Sequence, residues 1–299
     1  MRTRGTLAGL VIVVIVTGAV TPTGAVDASA TDVTVLTETF VDETRASPAS
    51  GFFPAVDIRT FVTTVAIPAG KPRPRPLVVL AHGQNGNPGK FTELIGAWAA
   101  AGYVVAAPLF PRSSDLTGGS VRDVVEQPAD VSFVIDEMLR LAKTKGSPLR
   151  RRIDPKRIGV AGLSLGGWTT YGSAFHPCCL DRRVDAVILM SAIRGGFDGG
   201  EYDFRGLPAL LVHGNADPFY SYSAETYPLL SAPKWFVTLP GVGHAEAFED
   251  TPAPSDQVAR DITTAFWDLY LLGERDAATR LVTLVDESGG QATLERELR

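Results

Sequence analysis

The stretch Gly162-Leu163-Ser164-Leu165-Gly166, followed by Gly167, is where residue types and spacing point most directly to chemistry. A serine hydroxyl is a weak nucleophile at neutral pH and needs a base within reach. The G-x-S-x-G pattern exposes such a serine when an apolar strand runs into it and a helix runs out, because the Oγ then stands on a sharp turn above the sheet. Both neighbours fit: Arg157 to Leu163 reads as a buried strand and Leu165 to Phe175 as a helix. The tight turn needs small residues two positions either side of the serine. The helix N-terminus would offer backbone N–H groups and a positive dipole end to a developing oxyanion.

The chain has four histidines from which a base can be drawn. His82 and His213 each end an apolar run and precede glycine, which suits hydrogen-bonded structural groups at strand ends. His176 lies beside Pro177 and a cysteine pair, far along the helix from Ser164. His244 lies in Pro240-Gly241-Val242-Gly243-His244, a loop directly after the last expected strand. From there an imidazole can swing over the C-terminal edge of a sheet, and the chain order Ser…Asp…His is kept. Asp217, in His213-Gly214-Asn215-Ala216-Asp217-Pro218, is the expected acid, accepting the imidazole N–H and fixing its tautomer. Asp198 and Asp203 are fallbacks; Asp185 starts a strand, at the wrong end.

An oxyanion hole needs two donors aimed at one point. The Leu165 N–H is the first candidate. The second is the Gln84 N–H in His82-Gly83-Gln84-Asn85-Gly86, although a plain glycine-rich turn accounts for those glycines equally well. Phe110, Trp168, Phe219 and Tyr220 fall on or near the loops that should ring Ser164. An apolar acyl pocket and ordinary core packing are both open for them.

These groups need a scaffold. Val33 to Thr39 and Ile58 to Ile67 read as early antiparallel strands. Apolar runs at Leu77 to Leu80, Tyr103 to Ala107, Val184 to Met190, Leu207 to Val212 and Trp235 to Leu239 read as further strands. Helical patterns at Phe91 to Ala101, Pro128 to Ala142 and Asp256 to Leu271 alternate with them. The expected architecture is α/β: a mostly parallel eight-stranded sheet with helices on both faces. The connections Pro108 to Val125 and Ser191 to Gly206 are too short for a large lid domain. The expected organisation is a signal peptide over 1–30, one domain over 31–273, and a charged tail over 274–299 packing as a short helix and a loose end.

The 299 residues carry a net charge of −5, with 45% hydrophobic and 20% charged residues. That balance suits a globular domain and disfavours nucleic acid as a partner. Arg2 and Arg4, an apolar run from Leu7 to Val20 and Ala28-Ser29-Ala30 follow the order of a secretory signal, with cleavage near Ala30. The 14-residue run is shorter than the ~18 residues that span a bilayer, so no stable membrane anchor is expected. Cys178 and Cys179 are adjacent; a vicinal disulfide and two buried thiols are both open. No histidine pair or second cysteine pair accompanies them, so no metal is expected.

The chain resembles secreted actinobacterial α/β-hydrolases related to dienelactone hydrolases, platelet-activating-factor acetylhydrolases and bacterial cutinases. The resemblance covers most of Phe40 to Leu272. It rests on His82-Gly83 after a strand, the Gly162–Gly167 turn, Cys178-Cys179 before Asp181 and Val184-Asp185-Ala186, and the Asp217 and His244 loops. Ser164 stands where dienelactone hydrolases use cysteine, and Leu163 and Leu165 replace the G-H-S-M-G flanks of polyester-degrading cutinases. The resemblance implies the α/β-hydrolase fold and hydrolysis of a small-molecule or lipid-like ester, with no cofactor. A serine peptidase or acyltransferase with the same three residues, or a catalytically silent binding protein, is the alternative.

Overall fold

The computed structural model describes residues 33–204 and 206–299. The expected signal peptide lies outside these residues. A nine-stranded sheet, ordered β1-β2-β4-β3-β5-β6-β7-β8-β9, organises the domain. Its strands are β1 (Val33–Asp42), β2 (Arg59–Pro68), β3 (Arg75–Ala81), β4 (Val104–Pro108), β5 (Ile153–Leu163), β6 (Ala186–Met190), β7 (Ala209–Gly214), β8 (Lys234–Leu239) and β9 (Thr293–Glu297).

The sheet is mixed. Strands β4, β3, β5, β6, β7 and β8 run parallel. β1 and β2 extend one side antiparallel, and β9 closes the other antiparallel to β8. The expected eight-stranded sheet is therefore corrected to nine strands, the last drawn from the tail. β9 pairs by backbone rather than by burying side chains: most of Thr-Leu-Glu-Arg-Glu is exposed. Lys234 Nζ reaches Glu297 Oε2 at 3.1 Å, and the Arg296 guanidinium lies over the Trp235 ring.

Among the described residues six α-helices cover the two faces: α1 (Thr92–Ala101), α2 (Gln127–Lys143), α3 (Leu165–Phe175), α4 (Tyr220–Thr226), α5 (Asp256–Trp267) and α6 (Ala277–Asp286). The period-2 alternation of the central strands sorts side chains between two cores. Val78, Leu80, Ala161, Leu163, Ile188 and Met190 face α1 and α5 through Trp98, Phe266 and Trp267. Leu77, Val79, Val160, Val187 and Leu189 face α2 and α3 through Val134, Ile135, Tyr171 and Phe175. Strands buried on both faces read as the unbroken apolar runs seen in the sequence.

Behind the first edge, Arg59 of β2 is fully buried. Its Nε donates to Asp130 Oδ1 at 2.8 Å and its Nη2 to Asp130 Oδ2 at 2.5 Å, which ties β2 to α2. The connection from β4 to α2 holds only a 3-10 turn, Val121–Val125, and that from β6 to β7 holds no helix among the described residues. No described helix is long and apolar enough to cross a membrane.

Candidate active site

Ser164 is the single residue between β5 and α3. Its φ of 56° and ψ of −114° lie outside the ordinary basins of an L-residue, a conformation costing on the order of 1–3 kcal/mol. The surroundings hold it there. Its N–H donates to Met190 O of β6 at 3.0 Å, and its carbonyl accepts from Gly167, Trp168 and Ile193 N–H. The flanking glycines permit the turn by close approach: a Cβ on Gly162 would lie 2.0 Å from Gly166 O, and one on Gly166 would lie 2.1 Å from Ala81 O.

Asp217 and His244 arrive on the loops after β7 and β8, whose register pairs Gly214 with Leu239. The two loops are cross-linked. Ala216 N–H donates to Val242 O at 3.1 Å, and Gly241 N–H to Asn215 Oδ1 at 2.7 Å. Gly243 N–H donates to Glu246 Oε2 at 2.9 Å, which closes the turn on which His244 rides.

The three side chains meet in one line. His244 Nε2 lies 2.7 Å from Ser164 Oγ, and His244 Nδ1 lies 2.5 Å from Asp217 Oδ2. Burial alone would raise the Asp217 carboxyl. Hydrogen bonds from His244, Phe219 N–H and His213 outweigh it and hold the group below the usual carboxylate range. An ionised carboxylate only accepts, so Nδ1–H donates to it and the neutral Nε2 is left to accept from the serine hydroxyl. A hydroxyl oriented this way can lose its proton to the ring as it attacks a carbonyl carbon.

The loop after β3 borders the serine: a Cβ on Gly83 would lie 3.2 Å from Ser164 Cβ. Buried His82 braces this loop from below. Its Nδ1 lies 2.7 Å from Gly83 O, and its Nε2 accepts from Phe110 N–H at 3.1 Å. Burial pushes the His82 imidazole down to about 4, so it is neutral at pH 7. Gln84 Nε2 donates to Gly119 O at 2.8 Å and Asn85 N–H to Ser113 O at 2.8 Å, fixing the loop from the other side. Leu165 is the first residue of α3, a position whose N–H has no partner within its own helix.

The four aromatic residues expected near the serine separate. Phe110 is fully buried against the His82 ring and belongs to the core rather than to a pocket wall. Tyr220 stacks on Phe236 and bonds Thr238 Oγ1 at 2.7 Å, which makes it packing for β8. Trp168 packs edge-on to Phe197 of the β6–β7 connection. Phe219 is 43% exposed and sets its ring edge-to-face with His244 at 5.2 Å.

One member of the cluster was not singled out from sequence. His213, read as a hydrogen-bonded strand-end residue, is hydrogen-bonded, and one of its partners is Asp217 Oδ2 at 2.7 Å. The spacing of four residues in His213-Gly214-Asn215-Ala216-Asp217 was the available signal. His213, Asp217 and His244 group closely enough to hold a metal ion, as do His176 and the cysteine pair. In the first group the ring nitrogens surround one carboxylate oxygen as hydrogen-bond donors. In the second the sulfurs of Cys178 and Cys179 are joined in a vicinal disulfide, the form left open by the sequence.

Comparison with known proteins places the fold. The solved ferulic acid esterase from Streptomyces cinnamoneus is similar over 84% of this chain and 93% of that one, with a TM-score of 0.66 and 23% identity. That likeness speaks to the fold, an α/β domain on a mixed sheet. A second similarity is to thiohydrolase aneE of Aspergillus aculeatus, 31% identical over 117 residues. The match covers 38% of this chain and about a third (32%) of the fungal protein's length. No protein-family model matches the chain.

Proposed function

We propose that the protein is a secreted serine hydrolase of the α/β-hydrolase fold that cleaves carboxylic esters through an acyl-enzyme on Ser164. The observation that carries this reading is the single line of contact Ser164–His244–Asp217, at 2.7 Å and 2.5 Å. Likeness in fold to an esterase adds support.

In the first step Ser164 Oγ attacks the ester carbonyl carbon while His244 Nε2 takes its proton. The carbonyl π pair moves onto oxygen, which the Gln84 and Leu165 N–H groups receive. Asp217 stabilises the imidazolium across Nδ1. The oxyanion then collapses, the C–O bond to the alcohol breaks, and His244 passes its proton to the departing oxygen. Water repeats the sequence on the acyl-enzyme: His244 removes its proton, the acid is formed, and Ser164 recovers its hydrogen. No cofactor takes part in this scheme. The exposed Phe219 ring forms part of the acyl or alcohol subsite beside the imidazole. Similarity to a thiohydrolase favours thioesters as a second substrate class handled by the same steps.

A panel of p-nitrophenyl esters of rising chain length tests the proposal. Turnover of at least the short esters, lowered by several orders of magnitude in Ser164→Ala, is the expected result. A flat zero across the panel, or full activity in the variant, would remove the hydrolase reading.

A further inference from the structure

The three well-buried histidines are held in two ways. His82 bonds only main-chain groups, Gly83 O and Phe110 N–H. His176 does the same through Gly200 O and Cys178 N–H. His213 bonds two side chains instead. Its Nε2 lies 2.7 Å from Asp217 Oδ2, and its Nδ1 lies 2.7 Å from Ser223 Oγ. It is wholly buried, and so is the Ser223 hydroxyl beside it.

The proton positions follow from chemistry. Asp217 is an acceptor only, so His213 donates Nε2–H to it. A neutral imidazole then has a lone pair on Nδ1, and Ser223 Oγ–H donates to that nitrogen. Asp217 Oδ2 thus receives two imidazole N–H groups, from His213 and from His244, while Oδ1 receives Phe219 N–H at 2.8 Å. Without His213 the carboxylate keeps one fixed donor from the main chain and one from the moving imidazole.

We propose that His213 is a positioning residue for the hydrolytic reaction: it holds Asp217 Oδ2 at the point where His244 Nδ1–H meets it, and Ser223 fixes the tautomer that allows this. The proposal rests on the ester-hydrolase reading. Its consequence is a five-member chain, Ser223–His213–Asp217–His244–Ser164, in which only the last two residues reach substrate. Burial lowers the His213 imidazole despite Asp217, which favours the neutral ring that these hydrogen bonds call for. The groups that face His213 are Asp217 on its own turn, Ser223 and Tyr220 of α4, and His244 from the β8–α5 connection. His244 also faces Ser164, Phe219 and the charge of Glu249.

The test compares His213→Phe, His213→Gln and Ser223→Ala with the parent on p-nitrophenyl acetate across pH. Losing a hydrogen bond to a charged acceptor should lower kcat of His213→Phe roughly ten- to hundredfold, with KM nearly unchanged. The acid limb of kcat/KM should move to higher pH, because an Asp217 with one donor fewer attracts the His244 proton more strongly. His213→Gln, which keeps an N–H donor, should recover much of the loss, and Ser223→Ala should lower kcat about two- to tenfold. A kcat within twofold of the parent, or an acid limb that stays put or moves down, overturns the proposal. Should His213→Phe not fold, Ser223→Ala decides alone: a parent-like kcat and profile overturn it. Failure of the hydrolase reading looks different, since the parent protein would then show no Ser164-dependent turnover.

Discussion

Gly162 and Gly166 touch so closely across the turn at Ser164 that a single methyl on Gly162 would stand 2.0 Å from the Gly166 carbonyl oxygen. The overlap is with backbone, so no side-chain rotation relieves it. Gly162→Ala should destabilise the domain by about 3 kcal/mol, the upper end for overpacking, and take activity down with it. Urea unfolding measures this. A parent-like midpoint would mean that the turn is looser than the contact implies.

Phe219 offers a test of specificity. Its ring is 43% exposed and edge-on to His244, while its N–H donates to Asp217 Oδ1. Phe219→Ala keeps the N–H and removes the apolar surface. Loss of about 1 kcal/mol of half-buried contact should raise KM roughly fivefold for p-nitrophenyl butyrate, and much less for the acetate. Equal effects on both esters, confined to kcat, would instead assign the ring to holding the imidazole.

Much of this arrangement was legible in the residues, for identifiable reasons. The β5–Ser164–α3 unit announces itself because strand, glycines and helix are contiguous. Asp217 and His244 follow from position, since only loops at the C-terminal ends of late strands can converge over the serine. What escaped notice depends on folding within loops. The His213–Asp217 bond forms only because the intervening turn curls the carboxylate back onto the ring. Phe110 is buried against the His82 ring, a contact that no local pattern signals. β9 is built from Thr293-Leu-Glu-Arg-Glu, a charged stretch without apolar alternation, so its edge pairing with β8 is invisible to periodicity.

The buried Arg59 of β2 makes a prediction about stability. It contacts Asp130 and Asp123, with no side-chain exposure on any of the three. Arg59→Met should cost about 3–5 kcal/mol, because it removes a buried cation that Asp123 and Asp130 share and leaves Asp130 only Arg45 as a charged partner and Asp123 only the Arg112 N–H. Adding Asp130→Leu should recover part of that loss. Chemical denaturation of single and double variants would show it, and an unaffected single variant would contradict the pairing.

Asp181 supplies a pH dependence away from the candidate site. Burial alone would raise its carboxyl, but Arg183 outweighs it through side-chain and main-chain hydrogen bonds and holds the group below its ordinary value. A carboxyl depressed in the folded state contributes stability above its unfolded value of about 3.9 and loses it as pH falls through the folded value. The Tm difference between parent and Asp181→Asn should therefore be widest near pH 7, narrow below about pH 5, and close towards the folded value. A pH-independent difference would show that the charge does not matter.

The central claim is that Ser164 is an activated nucleophile. Incubation with a fluorophosphonate probe, followed by peptide mass spectrometry, reads this directly, because an unactivated serine hydroxyl does not react. The expected result is one adduct, on Ser164, absent from Ser164→Ala and His244→Ala and from heat-unfolded protein. Labelling at another residue, or undiminished labelling in Ser164→Ala, would contradict the account.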